Sequence, residues 1–142
     1  MMTHEYSDAK PSEVDDISFL YATNDTITYP HPMEGKSGKW IIFLKQGDEL
    51  DSMWFKVKHA LLAGKLGRRA KVSTRKAHFS PASQGQGCIC VYTYNINDGE
   101  DIRRIRNELR TLGVTWKIPY RLDTNVRIYT NQGETELSQL YE

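Results

Sequence analysis

The sequence predicts an α+β fold in which one sheet carries two helices on a single face. Strand-like and helix-like segments alternate along the chain in the order β-α-β-β-α-β. Two of the strands also alternate between apolar and polar residues, so that only one of their faces suits a core. The other face of the sheet is expected to be open unless a tail or a partner covers it.

The chain of 142 residues is long enough for one domain. Residues 1–37 are expected to form a partly ordered N-terminal arm, and residues 38–142 a single α+β domain. The arm is polar and contains Pro11, Pro30 and Pro32. Its segment "ISFLYATNDTITY" is compatible with one strand or with a strap across the domain.

The first clear strand and the first helix follow the arm. The segment "KWIIFLK" (Lys39–Lys45) is apolar on both faces, which predicts a central strand whose orientation stays open. The segment "GDELDSMWFKVKHALLAG" predicts a helix with Asp48 as N-cap and Gly64 just after its end. Its apolar stripe consists of Leu50, Trp54, Val57 and Leu61.

The next segments predict two strands, "RRAKVST" and "CICVYTY", separated by a loop rich in Gly, Ser and Pro. The second helix, "NDGEDIRRIRNELRTLG", is capped by Asn97 or Asp98 and stops at Gly113. Its buried stripe is Ile102, Ile105, Leu109 and Leu112, and its predicted solvated face is Arg103, Arg104, Arg106, Asn107, Glu108 and Arg110.

The C-terminal part of the chain predicts one more clear strand. The segment "TWKIPYRLDT" is expected to be an irregular strand or loop because Pro119 interrupts it. The segment "NVRIYTN" (Asn125–Asn131) is the last clear strand and completes the predicted sheet.

Composition excludes several classes of protein. No apolar run approaches the ~18 residues that a membrane helix needs. The N-terminus has no apolar signal segment, and the spacing of Cys88 and Cys90 is not a zinc framework by itself. We therefore expect an intracellular, cytoplasmic protein with two reduced thiols, no metal, no cofactor and no membrane partner.

The net charge of +1 conceals a strong asymmetry. The 46 residues from Ser52 to Asn97 contain no Asp or Glu, although surface charges normally mix both signs. The same stretch contains Lys56, Lys58, Lys65, Arg68, Arg69, Lys71, Arg75 and Lys76. This asymmetry indicates a site for an anion.

Strand alternation predicts which of these cations lie on the open face. Ala70 and Val72 suit the core, as do Ile89 and Val91 in the next strand. The candidate ligand-binding residues on the open face are then Arg69, Lys71, Ser73, Tyr92, Tyr94, Arg127 and Tyr129. Cations bind phosphate and aromatic rings stack on bases, so this surface suits a nucleotide or a single-stranded nucleic acid.

A structural alternative stays open for the same residues. The tyrosines would form a second small core under the N-terminal arm, and the cations would pair with the arm's acids Glu13, Asp15 and Asp16.

Several longer motifs resemble one family. The segments "GKWIIF", "HALLAGKLGRRAKVST", "CICVYTYNINDGEDIRRIRNELRTLGV" and "YRLDTNVRIYTN" resemble the basophilic-leukaemia-expressed proteins, a domain of unknown function. The resemblance covers about residues 38–131. It implies a fold like that of the cap-binding translation initiation factor 4E, with a curved, mostly antiparallel sheet and the helices on its convex back. In such cap-binding proteins two aromatic residues enclose the methylated base and cations hold the phosphates.

Three functions remain open from the sequence. The first is a module that binds a phosphorylated small molecule or single-stranded nucleic acid on the open face. The second is an enzyme, similar to a phosphothreonine lyase, with Lys71 as base, His78 as acid and Arg75 as a phosphate clamp. The third is a protein-interaction domain whose open face is closed by its own arm or by a second copy in a homodimer.

Overall fold

The computed structural model describes residues 8–29, 37–79, 85–122, 128–130, 133–135 and 140–142 and confirms the α+β fold. No helix in these ranges is long and apolar enough to span a membrane. The elements are β1 (Phe19–Thr23), β2 (Gly38–Lys45), α1 (Asp48–Leu62), β3 (Arg69–Ser73), β4 (Gln86–Thr93), α2 (Gly99–Thr111), β5 (Pro119–Leu122), β6 (Ile128–Thr130), β7 (Gly133–Thr135) and β8 (Leu140–Tyr141).

Six of the strands form one antiparallel sheet in the order β1-β3-β4-β2-β5-β8. The edge strand β1 comes from the segment that the sequence assigned to the arm, and it pairs with β3 along its whole length, from Phe19↔Ser73 to Thr23↔Arg69. Of the two alternatives for this segment, strand and strap, the structure therefore shows the strand.

The core lies between the sheet and the two helices. Trp40 and Ile42 of β2 are fully buried on this side, which resolves the orientation that the sequence left open. The indole nitrogen of Trp40 donates a hydrogen bond to the carbonyl of Ile102 in α2, at 3.0 Å. Ala70, Val72, Ile89 and Val91 are also buried here, as strand alternation predicts.

Helix α1 buries the predicted apolar stripe, because all four of its members have no exposed surface. It begins one residue earlier than expected, with Gly47 rather than Asp48 as the N-cap. The described part of the arm docks beside its first turn. The backbone nitrogen and the hydroxyl of Ser12 both donate hydrogen bonds to the Asp51 carboxylate, at 3.0 and 2.5 Å.

Helix α2 confirms its predicted cap and stripe but corrects one position. The Asp98 carboxylate accepts a hydrogen bond from the backbone nitrogen of Asp101, at 3.1 Å. Arg106, which the sequence placed on the solvated face, is fully buried. Its guanidinium donates hydrogen bonds to the carbonyls of Val114, Trp116 and Glu142 at 2.6–2.9 Å, so the returning chain covers it.

The C-terminal strands differ from the prediction. β6, in the segment predicted as the last strand of the sheet, pairs with β7 in a separate two-stranded sheet and with no other strand in the described ranges. The place beside β5 is taken by β8 through the pairs Pro119↔Tyr141 and Tyr120↔Leu140. The sequence prediction was wrong here because nothing local distinguishes a strand that joins a sheet from one that forms a hairpin.

Candidate functional site

The face of the six-stranded sheet that lies opposite α1 and α2 is called the open face here. One cross-strand row on this face is unusually basic. Lys39 pairs with Tyr92 on one side and with Arg121 on the other. Arg69 lies across from Tyr92, next to the inward-facing pair Ala70↔Val91. Arg69, Tyr92, Lys39 and Arg121 therefore lie side by side, and this set is called the cationic row.

Tyr92 is the centre of the cationic row. The guanidinium carbon of Arg69 lies 4.2 Å from the centroid of its ring, and the Lys39 ammonium lies 5.9 Å from it. Only 6% of Tyr92 is exposed, and it packs with Ile41 and Cys90 in a small second apolar cluster. Part of the structural alternative is therefore observed, since Tyr92 does contribute to a second core. The alternative placed the N-terminal arm over these tyrosines. The group observed over the Tyr92 ring is instead the cation Arg69, and the described arm residue Ser12 docks on α1.

A cleft of about 570 Å³ opens at the end of the sheet, where β3 begins and β4 ends. Its lining includes Arg68 and Arg69 at the start of β3 and residues of the segment after β1. Three tyrosines also line it, Tyr29, Tyr92 and Tyr94, together with the exposed carboxylate of Asp25. The structure thus brings three of the predicted residues together: Arg69, Tyr92 and Tyr94.

Two of the cleft tyrosines form a parallel stack. The ring centroids of Tyr29 and Tyr94 are 3.9 Å apart and the ring planes differ by 5°. The Tyr94 hydroxyl donates a hydrogen bond to the Asp98 carboxylate at 2.7 Å, and this bond raises the pKa of Tyr94 and lowers that of Asp98. The Tyr29 hydroxyl is buried, which raises its pKa, and it has no hydrogen-bond partner among the described residues.

Lys71 lies on the open face, as predicted, but beside the cleft rather than in its wall. Its ammonium lies 4.3 Å from the centroid of the Phe19 ring. Burial lowers the pKa of Lys71, yet its interactions with the Tyr92 hydroxyl and with the Cys90 thiol outweigh burial and raise the pKa overall.

Of the remaining predicted residues, Ser73 does not line the cleft, and the side chains of Arg127, Tyr129 and His78 lie outside the described part of the structure. Ser73 is buried, and its hydroxyl accepts a hydrogen bond from the backbone nitrogen of Cys88 at 2.9 Å. Arg127 lies outside the described residues, and the backbone of Tyr129 belongs to the separate β6–β7 hairpin. His78 belongs to a single 3-10 turn, and its side chain is outside the described part of the structure.

Four residues of this region were missed by the sequence reasoning: Arg68, Tyr29, Lys39 and Arg121. Lys39 and Arg121 alternate with buried Trp40 and Tyr120, so the period of two was a usable signal for both. The apolar character of both β2 faces and the proline in β5 obscured it. Arg68 belongs to the acid-free, basic stretch of the sequence, but only the tertiary fold brings it together with Tyr29, which no sequence signal marks.

No tryptophan lines the cleft in the part of the chain that the structure describes. Trp40 and Trp54 are fully buried in the core, and Trp116 is exposed on the connection between α2 and β5. The aromatic groups of the cleft are therefore tyrosines. The described residues also contain no cluster of three or more His, Cys, Asp or Glu side chains that would hold a metal ion.

Solved structures with a similar fold are cap-binding initiation factors. A complex of Ascaris suum eIF4E-3 with an m2,2,7G cap matches with a TM-score of 0.57 and 18% identity, over 79% of this chain and 66% of that one. A C. elegans eIF4E-3 complex with the 4E-binding protein Mextli matches with a TM-score of 0.55 and 17% identity, over 74% and 64%. A schistosome eIF4E bound to m7GpppA and 4E-BP matches with a TM-score of 0.61 and 16% identity, over 89% of this chain and 75% of that one.

These structural matches establish an eIF4E-like fold. Because the sequence identities are only 16–18%, they show the fold and not the function. The chain spans about two thirds of the length of the two nematode proteins. The family model of the basophilic leukemia-expressed protein Bles03 matches residues 21–128, which include both helices, four whole strands of the main sheet and part of β1. The chain therefore belongs to the Bles03 family and has the fold of the cap-binding initiation factor eIF4E.

Proposed function

We propose that this protein binds a phosphorylated ligand, a nucleotide or the end of an RNA strand, in the cleft and along the cationic row. The observation that carries the proposal is the composition of the cleft wall, in which two adjacent arginines and three tyrosines line one opening. A guanidinium group can donate two parallel hydrogen bonds to the oxygens of one phosphate, and aromatic rings stack on bases. The cleft offers both kinds of contact within the reach of one nucleotide.

The phosphate groups are assigned to the arginine side of the cleft. Arg68 and Arg69 are exposed, and the cationic row continues from Arg69 to Lys39 and Arg121. A chain of phosphates that follows this row meets Lys39 about 10 Å from Arg69, two strand spacings away across β4, and Arg121 about 5 Å further on. The Asp25 carboxylate would repel a phosphate, so it favours this orientation of the ligand.

The base is assigned to the tyrosine side. The Tyr29 hydroxyl is buried without a partner in the described chain, and a polar group on a base would satisfy it. The Tyr29–Tyr94 rings already stack on each other at 3.9 Å, so they leave no room for a base between them. The base therefore stacks on the outside of this pair or displaces one ring from the other.

The structural neighbours support a nucleotide as the ligand. Two of the neighbours named above are complexes with an m2,2,7G cap and with m7GpppA, which are methylated guanine nucleotides. The aromatic groups here are tyrosines rather than tryptophans, so discrimination between methylated and unmethylated bases must be measured for this protein.

Catalysis by Lys71 is less well supported than binding. A general base must be deprotonated near neutral pH, and the surroundings of Lys71 raise its pKa. A protonated ammonium beside the cationic row serves binding of an anion instead.

A comparison of three probes tests the proposal. Titration calorimetry at low salt is expected to show binding of GTP and of 7-methylguanosine triphosphate, and much weaker binding of guanosine. The affinity for the triphosphates should fall as salt increases, because phosphate contacts are electrostatic. Equal affinity for guanosine and GTP, or no binding of either triphosphate, would overturn the proposal.

A further inference from the structure

The open face also carries two cysteines that the proposed function does not use. Cys88 and Cys90 are two residues apart in β4, so both side chains point to this face. Cys88 packs against the cluster that contains Cys90, and each thiol influences the ionisation of the other. Cys88 is partly exposed, whereas Cys90 is buried between Ile41 and Tyr92.

The surroundings of Cys88 favour its thiolate. The hydrogen bond from Cys90, followed by the Ser73 hydroxyl and the positive charges of Lys71 and Lys39, lowers the pKa of the Cys88 thiol against the effect of burial. The same hydrogen bond and burial raise the pKa of Cys90. The pair is therefore asymmetric: Cys88 is the more accessible thiol and the one whose ionisation is favoured, whereas Cys90 beside it is buried and its protonated form is favoured.

The backbone around Cys88 is held in place. The Ser73 hydroxyl accepts a hydrogen bond from the Cys88 nitrogen at 2.9 Å and donates one to its carbonyl at 3.4 Å. The β3–β4 ladder continues from the next residue through Val72↔Ile89. Cys88 therefore lies beside Cys90 on the open face, with its backbone anchored to Ser73.

We propose that Cys88 and Cys90 form a peroxide-reactive dithiol site on the open face, in which Cys88 is the attacking thiol and Cys90 the resolving one. The Cys88 sulfur attacks one oxygen of a hydroperoxide, so that an S–O bond forms and the O–O bond breaks. The other oxygen leaves as hydroxide or alkoxide and takes a proton from solvent. Sulfur is oxidised to a sulfenic acid and the peroxide is reduced.

The second step joins the two cysteines. The Cys90 sulfur attacks the sulfenic sulfur of Cys88, so that an S–S bond forms and the S–O bond breaks. The departing hydroxide takes the Cys90 proton and leaves as water. Positions two apart in a strand have Cα atoms about 6.7 Å apart, near the upper limit for a disulfide, and their side chains are parallel, so the bond requires a local shift of β4. We expect thiol reductants to reopen such a strained bond readily.

The test uses the full chain and hydrogen peroxide. Intact-mass analysis of the wild-type protein should show the loss of two hydrogens, and peptide mapping should show a Cys88–Cys90 disulfide that dithiothreitol reverses. The Cys90→Ser variant should stop at the sulfenic acid, which dimedone traps on Cys88. The Cys88→Ser variant should lose the reaction, because the remaining thiol is buried.

A second measurement does not depend on the variants being folded. Native wild-type protein treated briefly with iodoacetamide should be alkylated at Cys88 at least ~10-fold faster than at Cys90, and this preference should disappear in denaturant. Equal rates for the two cysteines in the native protein would overturn the proposal. Peroxide products that are only disulfide-linked dimers, or the absence of oxidation in the native state, would overturn it as well.

Discussion

The guanidinium of Arg69 lies over the ring of Tyr92, with 4.2 Å between its central carbon and the ring centroid. This contact joins the cationic row to the cleft, because both residues belong to both features. It also means that the ring face of Tyr92 is occupied in the structure described here. A base that stacks on Tyr92 must displace Arg69, whereas a base that stacks on Tyr94 leaves the contact intact.

The helix-side core predicts the effect of one large-to-small substitution. Leu109→Ala should lower the free energy of unfolding by about 2–5 kcal/mol, because Leu109 is fully buried between α2 and the sheet. Chemical denaturation measures this change. Leu62→Ala is the control, since Leu62 is 53% exposed on α1 and its loss should cost less than about 0.5 kcal/mol. Equal effects of the two substitutions would contradict the packing described here.

Arg106 is predicted to be structural although it is charged. Arg106→Met should lower the free energy of unfolding by about 3 kcal/mol or more, because it leaves three carbonyls without their donor. Arg110→Met, on the exposed side of the same helix, should change the free energy of unfolding by less than about 0.5 kcal/mol. If both variants unfold at the same denaturant concentration, Arg106 is not the buried donor that the structure shows.

Gly67 lies behind the cleft and leaves no space for a side chain. A Cβ atom there would stand 2.6 Å from the carbonyl oxygen of Tyr92, so the backbone of β4 would have to move. Gly67→Ala should therefore lower the free energy of unfolding by about 1–3 kcal/mol in a denaturant titration. Gly99→Ala is the matched control, because a Cβ there meets only the flexible Arg103 side chain at 3.6 Å. A Gly67→Ala protein as stable as wild type would show that the close approach is absent.

The Tyr94–Asp98 hydrogen bond predicts a dependence on pH. The bond from Tyr94 and the backbone bond from Asp101 lower the pKa of Asp98 in the folded protein. A carboxyl group with a lowered pKa stabilises the fold at pH values above its pKa in the unfolded chain, which is roughly 3.9. This contribution disappears as pH falls through the pKa of the folded state. Tyr94→Phe should raise the pKa of Asp98 toward its ordinary value, as measured by NMR titration of the carboxyl group. Tyr21→Phe on the open face should leave it unchanged, and equal pKa values in both variants would contradict the assigned bond.

Periodicity was a good guide to the faces of single elements. The stripes of both helices and the inward residues of β3 and β4 were predicted because apolar residues suited to a core recur there at the helical or strand period. Arg69 and Lys71 were placed on the open face for the same reason. Such predictions need only the local geometry of a helix or strand and an element that is apolar on one of its faces.

Features that depend on tertiary contacts were not accessible in this way. Arg106 occupies a helical position that periodicity assigns to solvent, yet the chain after α2 returns over it and supplies three acceptors. The cleft joins Tyr29 to Tyr94 across 65 positions of the chain, a contact that no local pattern encodes. The pairing of β8 with β5 likewise depends on which strand reaches that edge of the sheet.

The central claim is that the arginine side of the cleft holds the phosphates of a ligand. The most direct test is titration calorimetry of GTP with the wild-type protein, with Arg69→Ala, and with Lys56→Ala, which removes an exposed cation from α1 on the opposite side of the sheet. The account predicts that Arg69→Ala weakens GTP binding by about 10-fold or more, the equivalent of at least one charge-assisted hydrogen bond, and that Lys56→Ala binds like wild type. Equal affinities in all three proteins would contradict it.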